Sequence, residues 1–172
     1  MEKLRPDIYQ KSILDIHFNL LKEEGIKILL LDMDNTILKY KEKEIDIKVK
    51  QLIKALKTQF KVVIFSNSPY YKVKKIADIL EIEFISLAFK PSKIGFKKVF
   101  KKYKLLPEEV AIIGDQMYTD IKGGNKVDVT TILVDPLNNN ENVLTFFNRL
   151  KEKRIMKKMG AKGIFFKGRY YE

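Results

Sequence analysis

Apolar residues fall into two alternating rhythms along this chain. Short continuous runs at residues 27–31 (KILLL), 61–65 (KVVIF), 110–113 (VAII) and 129–134 have the length and β-branched content of strands buried on both faces. Residues 83–87 form a weaker run of the same kind. Between the runs, apolar positions recur at helical spacing. Ile45, Val49, Leu52, Ile53 and Leu56 mark a helix over 45–59, and Ile94, Phe96, Val99, Phe100 and Tyr103 mark one over 92–103. Residues 69–80 read as a helix with Pro69 in its first turn and Ser68 as N-cap. Another helix is expected from Tyr118, and residues 144–159 read as a basic amphipathic helix after an Asn-rich turn at 138–140.

Strands alternating with helices predict an α/β fold, a three-layer Rossmann-like arrangement with a parallel sheet and helices on both faces. With 172 residues, no internal repeat and no long Gly/Ser/Pro linker, one domain over 1–172 is expected, with a basic helix and tail from about 141 to 172. Ligands of such sheets bind beyond the carboxyl ends of the strands. Three runs here end in polar clusters, at residues 32–36, 66–68 and 114–120, which makes that edge the expected active site.

Composition narrows the chemistry. The chain has no cysteine and one histidine, His17, so thiolate catalysis and Cys- or His-based zinc sites are excluded. A metal would have to be held by oxygen, which favours magnesium. No apolar run reaches the roughly 18–20 residues of a membrane span, so a cytosolic location is the expectation. The net charge of +12 implies an anionic partner: a phosphorylated substrate, nucleic acid or an anionic membrane surface. Much of it lies near the end, where nine Lys/Arg face two Glu between Arg149 and Glu172.

The clusters carry the candidate chemistry. In DMDNT (32–36), Asp32 and Asp34 stand two apart on a strand end and so face one side, where one carboxylate can attack while the other moves a proton. The alternative is an acidic turn built by Asp34 and Asn35. SNSP (66–69) offers a hydroxyl and backbone N–H groups to a phosphate, but is equally a helix-capping sequence. In AFKPSK (88–93), Lys90 could offset the charge of a transferring phosphoryl group. In GDQMYTD (114–120), Asp115 and Asp120 supply oxygens for a magnesium ion. His17 and Phe146, Phe147, Phe165 and Phe166 stand outside these clusters; His17 is expected to be structural, the phenylalanines core or interface.

In this order the motifs resemble those of the haloacid dehalogenase (HAD) superfamily. The LRPDIYQKSILDI opening, GIKILLLDMDNT and the KGRYYE close are similar to its YqeG-like phosphatases, in subfamily IIIA. The resemblance implies a magnesium-dependent phosphatase. Asp32 would attack phosphorus and form an aspartyl-phosphate. Asp34 would protonate the leaving alkoxide and then activate water. Ser66 and the Asn67 backbone would bind phosphoryl oxygens, Lys90 would balance the intermediate's charge, and Thr36 would orient the loop. Magnesium would be held by Asp32, the backbone carbonyl of Asp34 and Asp115, with Asp120 supporting it directly or through water.

Members of the family usually carry a cap domain, whereas the intervals 37–60 and 70–87 are too short for one. An open site follows, suited to a bulky substrate. Relatives in this subfamily include phosphatidylglycerophosphate phosphatases. For the basic terminal helix, with Phe146, Phe147, Leu150, Ile155, Met156 and Met159, two readings stand: it lies on an anionic bilayer at the inner membrane face, or it packs on the core with a solvated basic side. The rival to the enzyme is a basic nucleic-acid- or ribosome-associated binding module on the same scaffold. A receiver-type phosphoacceptor domain is disfavoured by the position of Asp32 and Thr36.

Overall fold

All five runs form strands in the computed structural model, which describes residues 2–138, 143–161 and 169–170. In chain order the elements are β1 (Ile8–Gln10), α1 (Phe18–Glu23), β2 (Ile28–Leu31), α2 (Ile47–Leu56), β3 (Lys61–Phe65), α3 (Tyr70–Leu80), β4 (Glu83–Ile85), α4 (Lys93–Tyr103), β5 (Val110–Gly114), α5 (Lys122–Asn125), β6 (Thr130–Val134), α6 (Val143–Ala161) and β7 (Arg169–Tyr170). They build one sheet in the order β4-β3-β2-β5-β6-β1-β7, parallel except that β7 runs antiparallel to β1. From β2 the chain moves outward to β3 and β4, then returns to place β5 on the other side of β2. This reversal of strand order opens the crevice where ligands of such sheets bind.

The continuous apolar runs are explained by cover on both faces. Leu29, Leu31, Val62, Ile64, Ala111, Ile113, Ile132 and Val134 point to one side, against Val49, Ile53 and Leu56 of α2 and Val73, Ile76 and Leu80 of α3. Their neighbours Ile28, Leu30, Val63, Phe65, Val110 and Ile112 point to the other, against Phe96 and Val99 of α4. The Phe65 and Phe96 rings meet there at 4.8 Å and 57°.

Several boundaries move for local reasons. The helix expected over 45–59 starts at Ile47, because the Asp46 carboxylate accepts the Lys48 N–H at 2.7 Å and caps it. Ser92 caps α4 in the same way through the Ile94 N–H. Ser68 does not cap α3: Pro69 holds the cap position without a side-chain bond, and the Ser68 hydroxyl is engaged elsewhere. The helix expected from Tyr118 starts one residue earlier as a π-helical turn, Met117–Ile121, continued by α5. The intervals 37–60 and 70–87 hold only α2, α3 and β4 as regular elements, so among the described residues no cap domain covers the strand ends.

α6 packs on the protein. Met159 is buried with Tyr9, Met117, Ile121 and Leu133, and Ile155 and Met156 pack at the edge of that cluster. Lys151, Lys153, Arg154, Lys157 and Lys158 are exposed. The core-packing reading therefore holds for Met159, with Ile155 and Met156 half-buried beside it, whereas Leu150 is exposed. The side chains of Phe146 and Phe147 lie outside the described residues, as do Phe165, Phe166, most of the KGRYYE close and the turn beyond Asn138. Among the described residues no helix is long and apolar enough to cross a membrane.

Candidate active site

β2, β3 and β5 end side by side, and their carboxyl ends deliver the polar clusters to one place. Asp32 directly follows β2 and its N–H reaches the carbonyl of Ile113 in β5 at 2.9 Å, which extends the ladder into the cluster. Asp32, Asp115 and Asp120 are buried, and each offers a carboxylate oxygen within 4.8 Å of the others. The Lys90 ammonium lies among them, donating to Asp32 Oδ1 and to Asp120 Oδ1 at 2.6 Å each. Its side chain is 2% exposed. Three carboxylates against one ammonium leave two negative charges, all on hard oxygen donors, and this set suits a divalent cation.

Burial pushes the Asp32 carboxyl up to about 7; the Lys90 ammonium works against that rise and the Asp120 carboxylate adds to it. For Lys90, burial favours the neutral amine, but Asp120 and Asp32 together outweigh it and hold the ammonium above the usual lysine range. Thr36 is buried beside them, its hydroxyl 3.3 Å from Asp115 Oδ1 and 3.5 Å from Asp32 Oδ2.

Backbone geometry fixes these groups. Asp120 is presented by the π-helical turn, and its Oδ2 accepts the Gln116 N–H at 3.2 Å. Gly114 ends β5 where a Cβ would come within 2.3 Å of the Asp120 carboxylate, so any larger residue would displace the acid. After β2 the chain turns sharply at Asn35, which has φ of 63°; its side chain accepts the Tyr40 N–H at 3.0 Å. The bond spans five residues, so it closes the loop rather than forming an Asx-turn, and the Asp34 carboxylate is bonded to Lys72 and Ser68 instead of to its own turn.

Ser66 is buried at the end of β3, where its oxygen accepts the Ser68 N–H at 3.1 Å. The Asn67 side chain does something the sequence did not suggest. Its Oδ1 accepts the Lys90 N–H at 2.8 Å and its Nδ2 donates to the Lys90 carbonyl at 2.9 Å. One amide therefore brackets the backbone that carries the central lysine. The sequence signal was present only as an Asn between two serines.

Asp34 is half-buried and held by two partners absent from the sequence expectations. Lys72, on the first turn of α3, donates to both its oxygens at 2.6 and 2.8 Å, and the Ser68 hydroxyl donates at 2.8 Å. His17 is exposed ahead of α1, outside this constellation.

Comparison with known proteins agrees with this geometry. Residues 40–128 match the model of the haloacid dehalogenase-like hydrolases, a stretch containing Ser66, Lys90, Asp115 and Asp120. The chain is 34% identical over 159 residues to the Bacillus subtilis protein named probable phosphatase YqeG, covering 92% of each. It is 26% identical to phosphatidylglycerophosphate phosphatase 1 of Arabidopsis thaliana, over 92% of this chain but 49% of that protein. Among solved structures, the cobalt-bound deoxy-D-mannose-octulosonate 8-phosphate phosphatase of Haemophilus influenzae shares the fold with a TM-score of 0.53 at 15% identity, covering 84% of this chain and 95% of that one. A haloacid dehalogenase-like hydrolase from Xanthomonas campestris aligns with a TM-score of 0.52 at 10% identity, over 69% and 87%. With its strand order, its uncovered strand ends and these matches, the chain belongs to the haloacid dehalogenase-like hydrolases and is a phosphatase of that superfamily.

Proposed function

We propose that the protein hydrolyses a phosphomonoester in two steps through an aspartyl-phosphate on Asp32, with magnesium as its metal. The convergence of Asp32, Asp115 and Asp120 on the buried Lys90 ammonium carries this reading. The metal would be held by Asp32, Asp115 and the Asp34 carbonyl. Asp120 would support that site directly or through water, held in place by Lys90 and the Gln116 N–H. A divalent ion there supplies charge neutralisation for the phosphoryl oxygens.

In the first step Asp32 attacks phosphorus and the ester P–O bond breaks. The Ser66 hydroxyl and the Asn67 backbone bind the equatorial oxygens, Lys90 balances their charge, and Asp34 gives its proton to the leaving alkoxide. In the second, Asp34 takes a proton from water as that water attacks the phosphoaspartate. Inorganic phosphate leaves, the Asp32 carboxylate is freed, and Asp34 ends with the proton it gave up in the first step. Thr36 orients the loop throughout, from its position between Asp32 and Asp115.

The substrate proposed is bulky. Large apolar side chains stand exposed beside the site: Tyr70 and Tyr71 follow the Ser66–Ser68 turn, and Leu87 and Phe89 precede Lys90. Phosphatidylglycerophosphate, for which the Arabidopsis relative is named, fits such a rim. The exposed cations of α6 would favour peripheral contact with an anionic bilayer. The test is magnesium-dependent phosphate release from an aryl phosphate and from phosphatidylglycerophosphate in vesicles, with Asp32→Asn and chelator controls. Release from both that vanishes in the controls, with the lipid preferred, supports the whole reading. Release from the aryl ester alone removes the lipid, and release that survives Asp32→Asn removes the mechanism.

A further inference from the structure

Lys72 and Tyr40 form a group that the phosphoryl site does not use. The Lys72 ammonium pairs with both Asp34 oxygens and lies 5.3 Å from the centre of the Tyr40 ring. The Lys41 ammonium lies 5.7 Å from the same centre. Lys90 is sealed at 2% exposure, whereas Lys72 is 30% exposed and so opens toward solvent. Lys72 is paired with the Asp34 carboxylate, and Lys41 shares the Tyr40 ring with it, so two ammonium groups meet at one ring and the one carboxylate there is bonded to Lys72 alone. Among the described residues no ion pair gives Lys41 a carboxylate.

The placement determines what this charge can meet. On the proposed function, which this inference rests on, Asp34 protonates the oxygen of the departing alcohol. A group bonded to Asp34 from the solvent side therefore borders the leaving group, across from the phosphoryl oxygens. An ammonium here does little for the transferring phosphate, which Lys90 already neutralises. It can contact an anion on the alcohol itself, and the Tyr40 ring offers an apolar wall beside it.

We propose that Lys72, with Lys41 and Tyr40, forms a leaving-group subsite that selects phosphomonoesters whose alcohol carries a second anionic group. Lys72 acts through both contacts: it positions Asp34 when the site is empty and shares its charge with the second anion when substrate is present.

The test compares propanediol monophosphate with propanediol bisphosphate, which match in the alkyl leaving group; the bisphosphate adds the second anion, and kcat/KM is compared per scissile ester. The wild-type enzyme should prefer the bisphosphate about tenfold in kcat/KM, the size of one charge-assisted contact. Lys72→Gln combined with Lys41→Gln should abolish that preference, chiefly through KM for the bisphosphate, and Lys72→Arg should retain it. A double variant that loses the same factor on both esters would overturn the subsite and leave Lys72 only the positioning of Asp34. A wild-type enzyme without preference would overturn it as well. If the wild-type enzyme hydrolyses neither ester while folded and metal-loaded, the phosphatase reading beneath the proposal fails too, and that result is distinct from either of the others.

Discussion

Replacing Lys90 by Met keeps the volume of a long side chain and removes the charge that separates three buried acids. Lys90 donates at 2.6 Å to both Asp32 and Asp120. Removing one partner of a buried ion pair typically costs about 3–5 kcal/mol, because the remaining charge is left without compensation. The acids can escape part of that cost by taking up protons, so the loss should depend on pH. In the folded chain Asp32 sits at about 7, against an ordinary value of 3.8. The folded state therefore holds this proton more tightly than the unfolded one. The stability that follows is complete in acid and is lost as pH rises from about 4 to about 7. Lys90 opposes the upward shift, so in Lys90→Met the carboxyl rises further and the loss continues above neutrality. Each further unit is worth about 1.4 kcal/mol. Urea unfolding in chelator should show Lys90→Met destabilised by about 3–5 kcal/mol near pH 8, and by about 1–3 kcal/mol less near pH 5. Adding magnesium at the higher pH should recover part of the difference. An equal loss at both pH values would refute the electrostatic reasoning and mark Lys90 as a packing residue.

Other consequences follow from single contacts. Magnesium affinity should weaken by up to about tenfold per unit as pH falls below about 7, where Asp32 takes up a proton, and isothermal titration would show it. Affinity flat across that range would mean Asp32 is not a ligand. Gly114→Ala places a methyl 2.3 Å from the Asp120 carboxylate. It should cost about 1–3 kcal/mol in unfolding experiments and most of the activity. Glu152, 3% exposed on α6, accepts the Tyr118 N–H at 3.1 Å and so braces the turn that carries Asp120. Glu152→Ala should cost about 1–3 kcal/mol and raise the magnesium concentration needed for activity, whereas Glu152→Gln, which keeps an acceptor, should retain most of both.

The central strands were legible because a parallel strand buried on both faces must be apolar throughout, and KILLL, KVVIF and VAII carry that mark. The acids that follow them were legible as motifs at strand ends. β1 and β7 were not, since three and two residues give no period to read. The Ser68 error has a physical origin: Ser-Pro ahead of a helix is a good cap sequence, and only the fold brings Asp34 within reach of that hydroxyl. Lys72 was invisible for a similar reason. It is one of 34 basic residues, and its partner lies 38 positions away. In α6 the apolar residues could be read but not the surface they meet, because Tyr9, Met117 and Leu133 come from three distant parts of the chain. Chemistry local to a strand end was readable; contacts that join distant segments were not.

The most direct test of the central claim is to look for the phosphoryl group on Asp32. Enzyme turning over an aryl phosphate with magnesium would be quenched in acid, digested and examined by mass spectrometry. The account predicts a phosphorylated peptide containing Asp32, absent from Asp32→Asn and from chelator-treated enzyme. Phosphate release that proceeds with Asp32 unmodified, and that persists in Asp32→Asn, would contradict it.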